Sequence, residues 1–211
     1  MPARANKLVL LGDSIIDNGV YVVDDGKSVL VHLQEVVPNF EFDQRALDGA
    51  ICNHVFDRQL TSTEDYSSHA VLSVGGNDAF GNIHLLESTD QQTFIESLLV
   101  LSEIQEAFRD SYRQLLDALR ASFHRCLVMT IYRPRFALDG YPAPFQKAAE
   151  TALSVYNDVI QEEAGSRNFD LLDLRRVCNE NEDFANPIEP SDQGGRKIAN
   201  EISNWLSAAQ S

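Results

Sequence analysis

Three residues close three apolar runs of this sequence, and together they are the parts of an acyl-transfer site. Ser14 follows the run 7–11 through Gly12-Asp13, Gly49 follows the segment 40–46, and Asn77 sits in Gly75-Gly76-Asn77-Asp78 directly after 70–74. A serine hydroxyl that attacks an acyl carbon needs a base for its proton and hydrogen-bond donors for the oxyanion that develops. A glycine N–H can approach a ligand with no side chain in the way. The amide of Asn77 and the N–H of Ser14 supply two more donors. Each residue also has a plainer use. Asp and Ser commonly cap helices, and Gly49 and the Gly-Gly-Asn-Asp stretch are ordinary turn formers. What favours a shared site is that all three fall at carboxyl ends of expected strands, which in a parallel sheet lie on one edge.

The elements that must position them are legible as alternating strand and helix patterns. Residues 7–11 read as a buried parallel strand, 28–37 as a helix stopped by Pro38, and 40–46 as a weaker second strand. Residues 51–60 read as a helix with Ile51, Val55, Phe56 and Leu60 on one face, 61–68 as a polar connection, and 70–74 as the third strand. The longest helical pattern runs from about residue 90 to 123, with a break possible where Ser102 and Gln105 resemble a capping box. Residues 126–131 form the fourth strand, 132–144 an irregular loop, 145–164 a helix, 169–174 the fifth strand and 195–206 a closing helix. Such alternation implies a parallel sheet covered on both faces by right-handed crossovers. The expected fold is one α/β domain over residues 1–211, without repeats, linkers or low-complexity tracts.

Composition narrows the function classes. Seventeen basic residues against 32 acidic ones give a formal charge of −15, which argues against a nucleic-acid or anionic-membrane partner, because tracking phosphates needs clustered Lys and Arg. No stretch is long and apolar enough to span a bilayer, and the short run after Lys7 leaves no room for a signal peptide. Cys52, Cys126 and Cys178 are odd in number and widely spaced. They form no metal-ligand pattern and suggest a reducing, cytoplasmic setting. The expectation is a small-molecule substrate with neither cofactor nor metal.

The stretches Gly12-Asp13-Ser14-Ile15-Ile16-Asp17-Asn18-Gly19, Gly49 and Gly75-Gly76-Asn77-Asp78 resemble the first three sequence blocks of the SGNH (GDSL-type) hydrolases. Pro190-Ser191-Asp192-Gln193-Gly194-Gly195 resembles the region of the last block, so the likeness covers nearly the whole chain. The resemblance implies a three-layer α/β/α fold, flavodoxin-like, around a five-stranded parallel sheet, with esterase, lipase or thioesterase-like activity. It implies Ser14 as nucleophile, and the Ser14 N–H, Gly49 and Asn77 as the oxyanion hole.

The last block departs from the family pattern Asp-x-x-His-Pro, in which His is the base and Asp orients it. Here the chain reads Asn186-Pro187-Ile188-Glu189-Pro190, and no histidine follows His124. Glu189 holds the base position and Asn186 the orienting one. A free glutamate, with a pKa of about 4.3, is a weak base at neutral pH, but burial raises that value. A carboxylate base forms no imidazolium and needs no second acid behind it, while Asn186 offers a hydrogen-bond donor that a second carboxylate lacks.

Two departures that suit a Ser–Glu device also suit a site that has lost its chemistry. The sequence therefore leaves open a serine hydrolase cleaving a small ester or thioester through an acyl-Ser14 intermediate, and a catalytically silent ligand-binding protein of the same fold. His54, after the Gly49 turn, and His84, after Asn77, are alternative bases. His32, His69 and His124 sit in or beside expected helix or strand segments, away from the strand ends. Arg133 and Arg135, on the loop after the fourth strand, could meet an acidic substrate group, although loop arginines are more often simply solvated.

Overall fold

The computed structural model describes residues 6–60, 69–88 and 93–208, so the polar connection expected at 61–68 lies outside the described residues. Strand β1 (Asn6–Gly12) pairs with β2 (Phe40–Gln44) on one side and β3 (His69–Ser73) on the other. Beyond β3 come β4 (Arg125–Met129) and β5 (Asp170–Leu172), and every pairing is parallel. The order β2-β1-β3-β4-β5 is the flavodoxin-like order, in which the chain direction switches between β1 and β3 and leaves a crevice at their carboxyl ends. Leu8, Val9, Leu10 and Leu11 are wholly buried, because a central parallel strand is covered on both faces.

Period-two alternation sorts these side chains into two cores. Val9, Leu11, Leu72 and Val128 face α5 (Phe94–Ser122) and α6 (Ala143–Ser166) on one side. Leu8, Leu10, Val71 and Met129 face α1 (Val29–Val36) and α8 (Asp192–Ala208) on the other. The result is the expected three-layer α/β/α arrangement around a five-stranded parallel sheet. Shorter helices complete it: α2 (Cys52–His54), α3 (Gly76–Phe80), α4 (His84–Glu87) and α7 (Leu174–Val177).

Two expectations change. The long helix does not break at Ser102: α5 is continuous from Phe94 to Ser122, and its capping box is Thr93 with Glu96, whose side chains and backbone N–H groups satisfy each other. The stretch 51–60 is not one α-helix. It begins as α2 and widens into a π-helix over Val55–Gln59, which turns the Gln59 side chain inward, with consequences for the site.

Candidate active site

The turn that carries Ser14 is fixed by close contact between β1 and β3. Gly12 adopts φ +129°, and a Cβ there would lie 1.8 Å from the Ser73 carbonyl oxygen, so only glycine fits. Both backbone groups of Gly12 are taken by the buried Gln59 amide: its Oε1 accepts from Gly12 N at 2.7 Å and its Nε2 donates to Gly12 O at 2.8 Å. Asp13 N donates to Ser73 O, and Ile16 N and Asp17 N donate to Asp13 O. Asp13 Oδ1 accepts from Ile15 N at 3.1 Å. Asp13 thus caps a single turn, with no helix behind it, and the Ser14 hydroxyl is presented at the crevice.

The opposite wall is the segment 183–190. Ser14 Oγ donates to Glu189 Oε1 at 3.0 Å. Glu189 is 5% exposed, and its second oxygen, Oε2, is buried with no hydrogen-bond partner. The backbone around it is pinned from several sides: Tyr132 Oη donates to Ile188 O at 2.6 Å, Arg135 N to Pro187 O at 2.7 Å, and Ala185 N to Glu189 O at 2.9 Å. Asn18, wholly buried, donates through Nδ2 to Pro190 O and accepts at Oδ1 from Val29 N. It ties the Ser14 turn, the Glu189 segment and the start of α1 together.

Asn186 acts differently from the sequence expectation. Its Oδ1 accepts from Ile188 N and Glu189 N, each at 3.0 Å, so it orders the backbone of the turn by the local side-chain pairing that Asn favours. It steers Glu189 through the main chain, and no amide proton of Asn186 is directed at the carboxylate.

Electrostatics make this glutamate unusual. Burial pushes its pKa up to about 7; the Ser14 hydrogen bond works against that shift, and the Asp48 charge adds to it. Asp13 is also driven well above the carboxylate range, first by burial and then by the charges of Glu189 and Asp78, against the stabilising Ile15 N–H. Neither Asp13 nor Glu189 forms an ion pair with a Lys, Arg or His among the described residues.

The donor side is organised by α3. Asn77 Nδ2 donates to Ala50 O at 3.1 Å, and the Asp78 carboxylate accepts from Cys52 N, so consecutive side chains hold both ends of the segment after Gly49. Gly49 itself is exposed with φ +76°. The N–H groups of Ser14 and Gly49 have no hydrogen-bond partner among the described residues. An amide nitrogen carries two hydrogens, so Asn77 keeps one beyond its bond to Ala50.

Asp13, Ser14, Asn77, Ile131, Tyr132 and Glu189 line the inner end of a cleft of about 770 Å³. Gly49, Asn186, His54 and His84 are not among its lining residues; Gly49 adjoins it through the Ala50–Asn77 link, and Asn186 stands behind Glu189. His54 is half-buried beyond the Gly49 turn, and His84 is exposed at the start of α4. No group of three His, Cys, Asp or Glu side chains among the described residues is arranged to hold a metal ion.

Sequence reasoning missed Gln59, Asn18 and Asp78. Each is a polar residue whose partners are backbone atoms distant in sequence. The one visible signal was Asn18 and Asp78 lying inside the quoted motifs.

The chain has the overall shape of several solved hydrolases. Phospholipase A1 from Streptomyces albidoflavus superposes with a TM-score of 0.69 at 16% identity, over 95% of this chain and 100% of that one. An acetyl xylan esterase gives 0.68 at 19% identity, over 95% and 98%. The extracellular lipase of Streptomyces rimosus gives 0.67 at 18% identity, over 94% and 100%. At such identities the likeness is one of fold. No curated protein matches the sequence. Residues 10–197, from within β1 into α8, match the GDSL-like lipase/acylhydrolase family, and with the fold in agreement the chain belongs to that family of ester-cleaving hydrolases.

Proposed function

We propose that this protein is a serine hydrolase that cleaves an ester or thioester through an acyl-Ser14 intermediate, with Glu189 as the base. The observation that carries the reading is the 3.0 Å hydrogen bond from Ser14 Oγ to Glu189 Oε1, made to a carboxylate whose pKa is raised to about 7. A base with a pKa near the working pH combines a sizeable ionised fraction with useful proton affinity.

In the acylation step Ser14 Oγ bonds to the acyl carbon while its proton passes to Glu189 Oε1. The carbonyl oxygen, now negative, is met by Asn77 Nδ2 and the free N–H groups of Ser14 and Gly49. The tetrahedral species collapses, the bond to the leaving group breaks, and Glu189 returns the proton to the departing alkoxide or thiolate. Water then attacks the acyl carbon, giving its proton to Glu189, and Ser14 leaves as the hydroxyl. A carboxylate that becomes neutral on accepting the proton leaves no buried cation to stabilise, which is why Asn186 suffices behind it.

A fluorophosphonate probe tests this. Labelling that requires Ser14 and disappears in Ser14→Ala is the expected result, and Glu189→Gln should slow it by roughly 10²–10⁴-fold, the usual worth of a general base. Absence of labelling between pH 5 and 9 would leave the fold as a silent ligand-binding protein. Labelling that survives Glu189→Gln and vanishes in His54→Ala or His84→Ala would move the base to a histidine. A reducing, cytoplasmic setting is part of the same proposal, supported by three buried free thiols; no described helix is long and apolar enough to cross a membrane.

A further inference from the structure

The helices α5 and α6 are zipped at one end and parted at the other. Along their later turns, Phe108 and Tyr156 pack in a tilted ring contact with centroids 4.9 Å apart. Beyond them Glu163, itself buried, accepts from Arg109, Arg113 and Arg167 at 3.2, 2.9 and 2.6 Å. Toward the amino ends the pairing changes. There α5 offers Leu98, Leu101 and Ile104, while α6 faces them with Ala148, Ala149 and Ala152. Alanines leave unfilled the space that larger side chains would occupy in a closed helix pair. The cleft that begins at Ser14 runs into this gap.

The start of α5 is apolar beyond what packing explains. Phe94, Leu98 and Leu99 are 79%, 47% and 59% exposed, on a helix whose fully buried positions begin only at Phe108. Phe94, Leu98, Leu101 and Ile104 follow a three-and-four spacing and line one wall as a continuous stripe leading away from the nucleophile.

Resting on the reading of Ser14 as nucleophile, we infer that the α5/α6 gap holds a linear, unbranched acyl chain of medium to long length, and that the alanines of α6 set the length accepted. From Phe94 to Ile104 the helix rises about 15 Å, the length of an extended chain of roughly a dozen carbons. The chain lies between a leucine wall and an alanine wall, with its carbonyl carbon at Ser14 and its far end toward Phe94. The walls are mainly hydrocarbon, with Leu98, Leu101 and Ile104 facing Ala148, Ala149 and Ala152, and Ser97, Lys147 and Thr151 are the polar residues that α5 and α6 add to the lining.

The test is a series of p-nitrophenyl esters from acetate to dodecanoate. Each buried methylene is worth about fourfold in kcat/KM, so the wild type should gain with length until the gap is filled. Ala152→Phe should cut decanoate and dodecanoate turnover at least thirtyfold and leave acetate within twofold. Leu98→Ser, on an exposed position that the fold does not depend on, should lower only the long esters, by about tenfold. A wild type that prefers acetate, or variants that lower every ester equally, would overturn the assignment. Calorimetric titration of Ser14→Ala with decanoate and with acetate separates this inference from the catalytic one. Decanoate binding that Ala152→Phe removes supports the gap even in a protein that turns over no ester. Absence of decanoate binding refutes the gap even where short esters are cleaved.

Discussion

Ser14 and Glu189 lie 175 residues apart in sequence and meet through one hydrogen bond of 3.0 Å, while the other oxygen of the same carboxylate is buried without a partner. A carboxylate held this way is poorly solvated when charged and has one good contact to lose when neutral. Its pKa, raised to about 7 by burial, follows from that half-satisfied state.

The pH profile of ester turnover should reflect it. Protonated Glu189 cannot take the proton of Ser14, so kcat/KM should fall about tenfold per unit below an apparent pKa of about 7 and level off above it. A family base of the His type would give a similar midpoint, so the discriminating measurement is the profile of Glu189→Asp. The shortened side chain loses contact with Ser14 Oγ, and turnover should drop by roughly 10²-fold or more at every pH. A profile flat from pH 5 to 9 in the wild type would exclude Glu189 as the titrating base.

The same carboxylate should weaken the fold at alkaline pH. Its native pKa is about 7 against an ordinary value of 4.5, so the native state retains a proton that the unfolded state has released. The favourable contribution is full below about pH 4.5 and is lost as pH rises through 7. At about 1.4 kcal/mol per unit, the loss is on the order of 3 kcal/mol. Glu189→Gln keeps an acceptor for Ser14 and carries no charge. Its effect on unfolding free energy, from urea melts, should therefore become more favourable by roughly 2–3 kcal/mol between pH 4.5 and pH 8, with activity lost throughout. An effect independent of pH would show that Glu189 is ordinary.

Glu163 has the opposite sign. Its bonds to Arg113, Arg167 and Arg109 outweigh burial and lower its pKa to about 2. The stabilisation is present above the unfolded value near 4.5 and is lost as pH falls toward 2. Glu163→Gln should cost about 2–4 kcal/mol at pH 7, because it leaves three guanidinium groups without their shared anion, and should cost much less at pH 3. The zipped end of the α5/α6 pair should loosen in the variant, which hydrogen exchange at residues 108–116 would report as loss of protection.

How much of this was legible depended on whether the signal was local. The strand β1 and the three strand ends were visible because apolar runs ending in Gly, Asp or Asn are written in adjacent residues. The position of Glu189 was visible only through the family pattern, and its contact with Ser14 follows from a fold that returns α8 beside α1. The direction of the Asn186 hydrogen bonds was not legible, since an amide carries donor and acceptor on one group. The π-turn at Val55–Gln59 has no periodic signature. Gln59 in a polar-looking position reads as surface, although it is buried against Gly12.

That last contact yields the sharpest test of how the Ser14 turn is held. Gly12 ends β1 at φ +129° with its N–H and C=O both taken by one buried amide, two residues before Ser14. Gln59→Leu has similar bulk but removes both amide partners: the Gly12 carbonyl keeps its bond from Leu47 N, whereas the buried Gly12 N–H is left unsatisfied. The expected loss of stability is about 1–3 kcal/mol. Gln59→Glu retains an acceptor for the Gly12 N–H but opposes the Gly12 carbonyl, so it should be stabilised toward the wild type at acid pH, where a protonated carboxyl donates again. If Gln59 only fills space, both variants fold and label with fluorophosphonate like the wild type. If it positions the turn, labelling of Ser14 in Gln59→Leu falls by at least tenfold at a temperature where circular dichroism shows the protein folded. In Gln59→Glu the labelling rate relative to wild type then improves as pH falls.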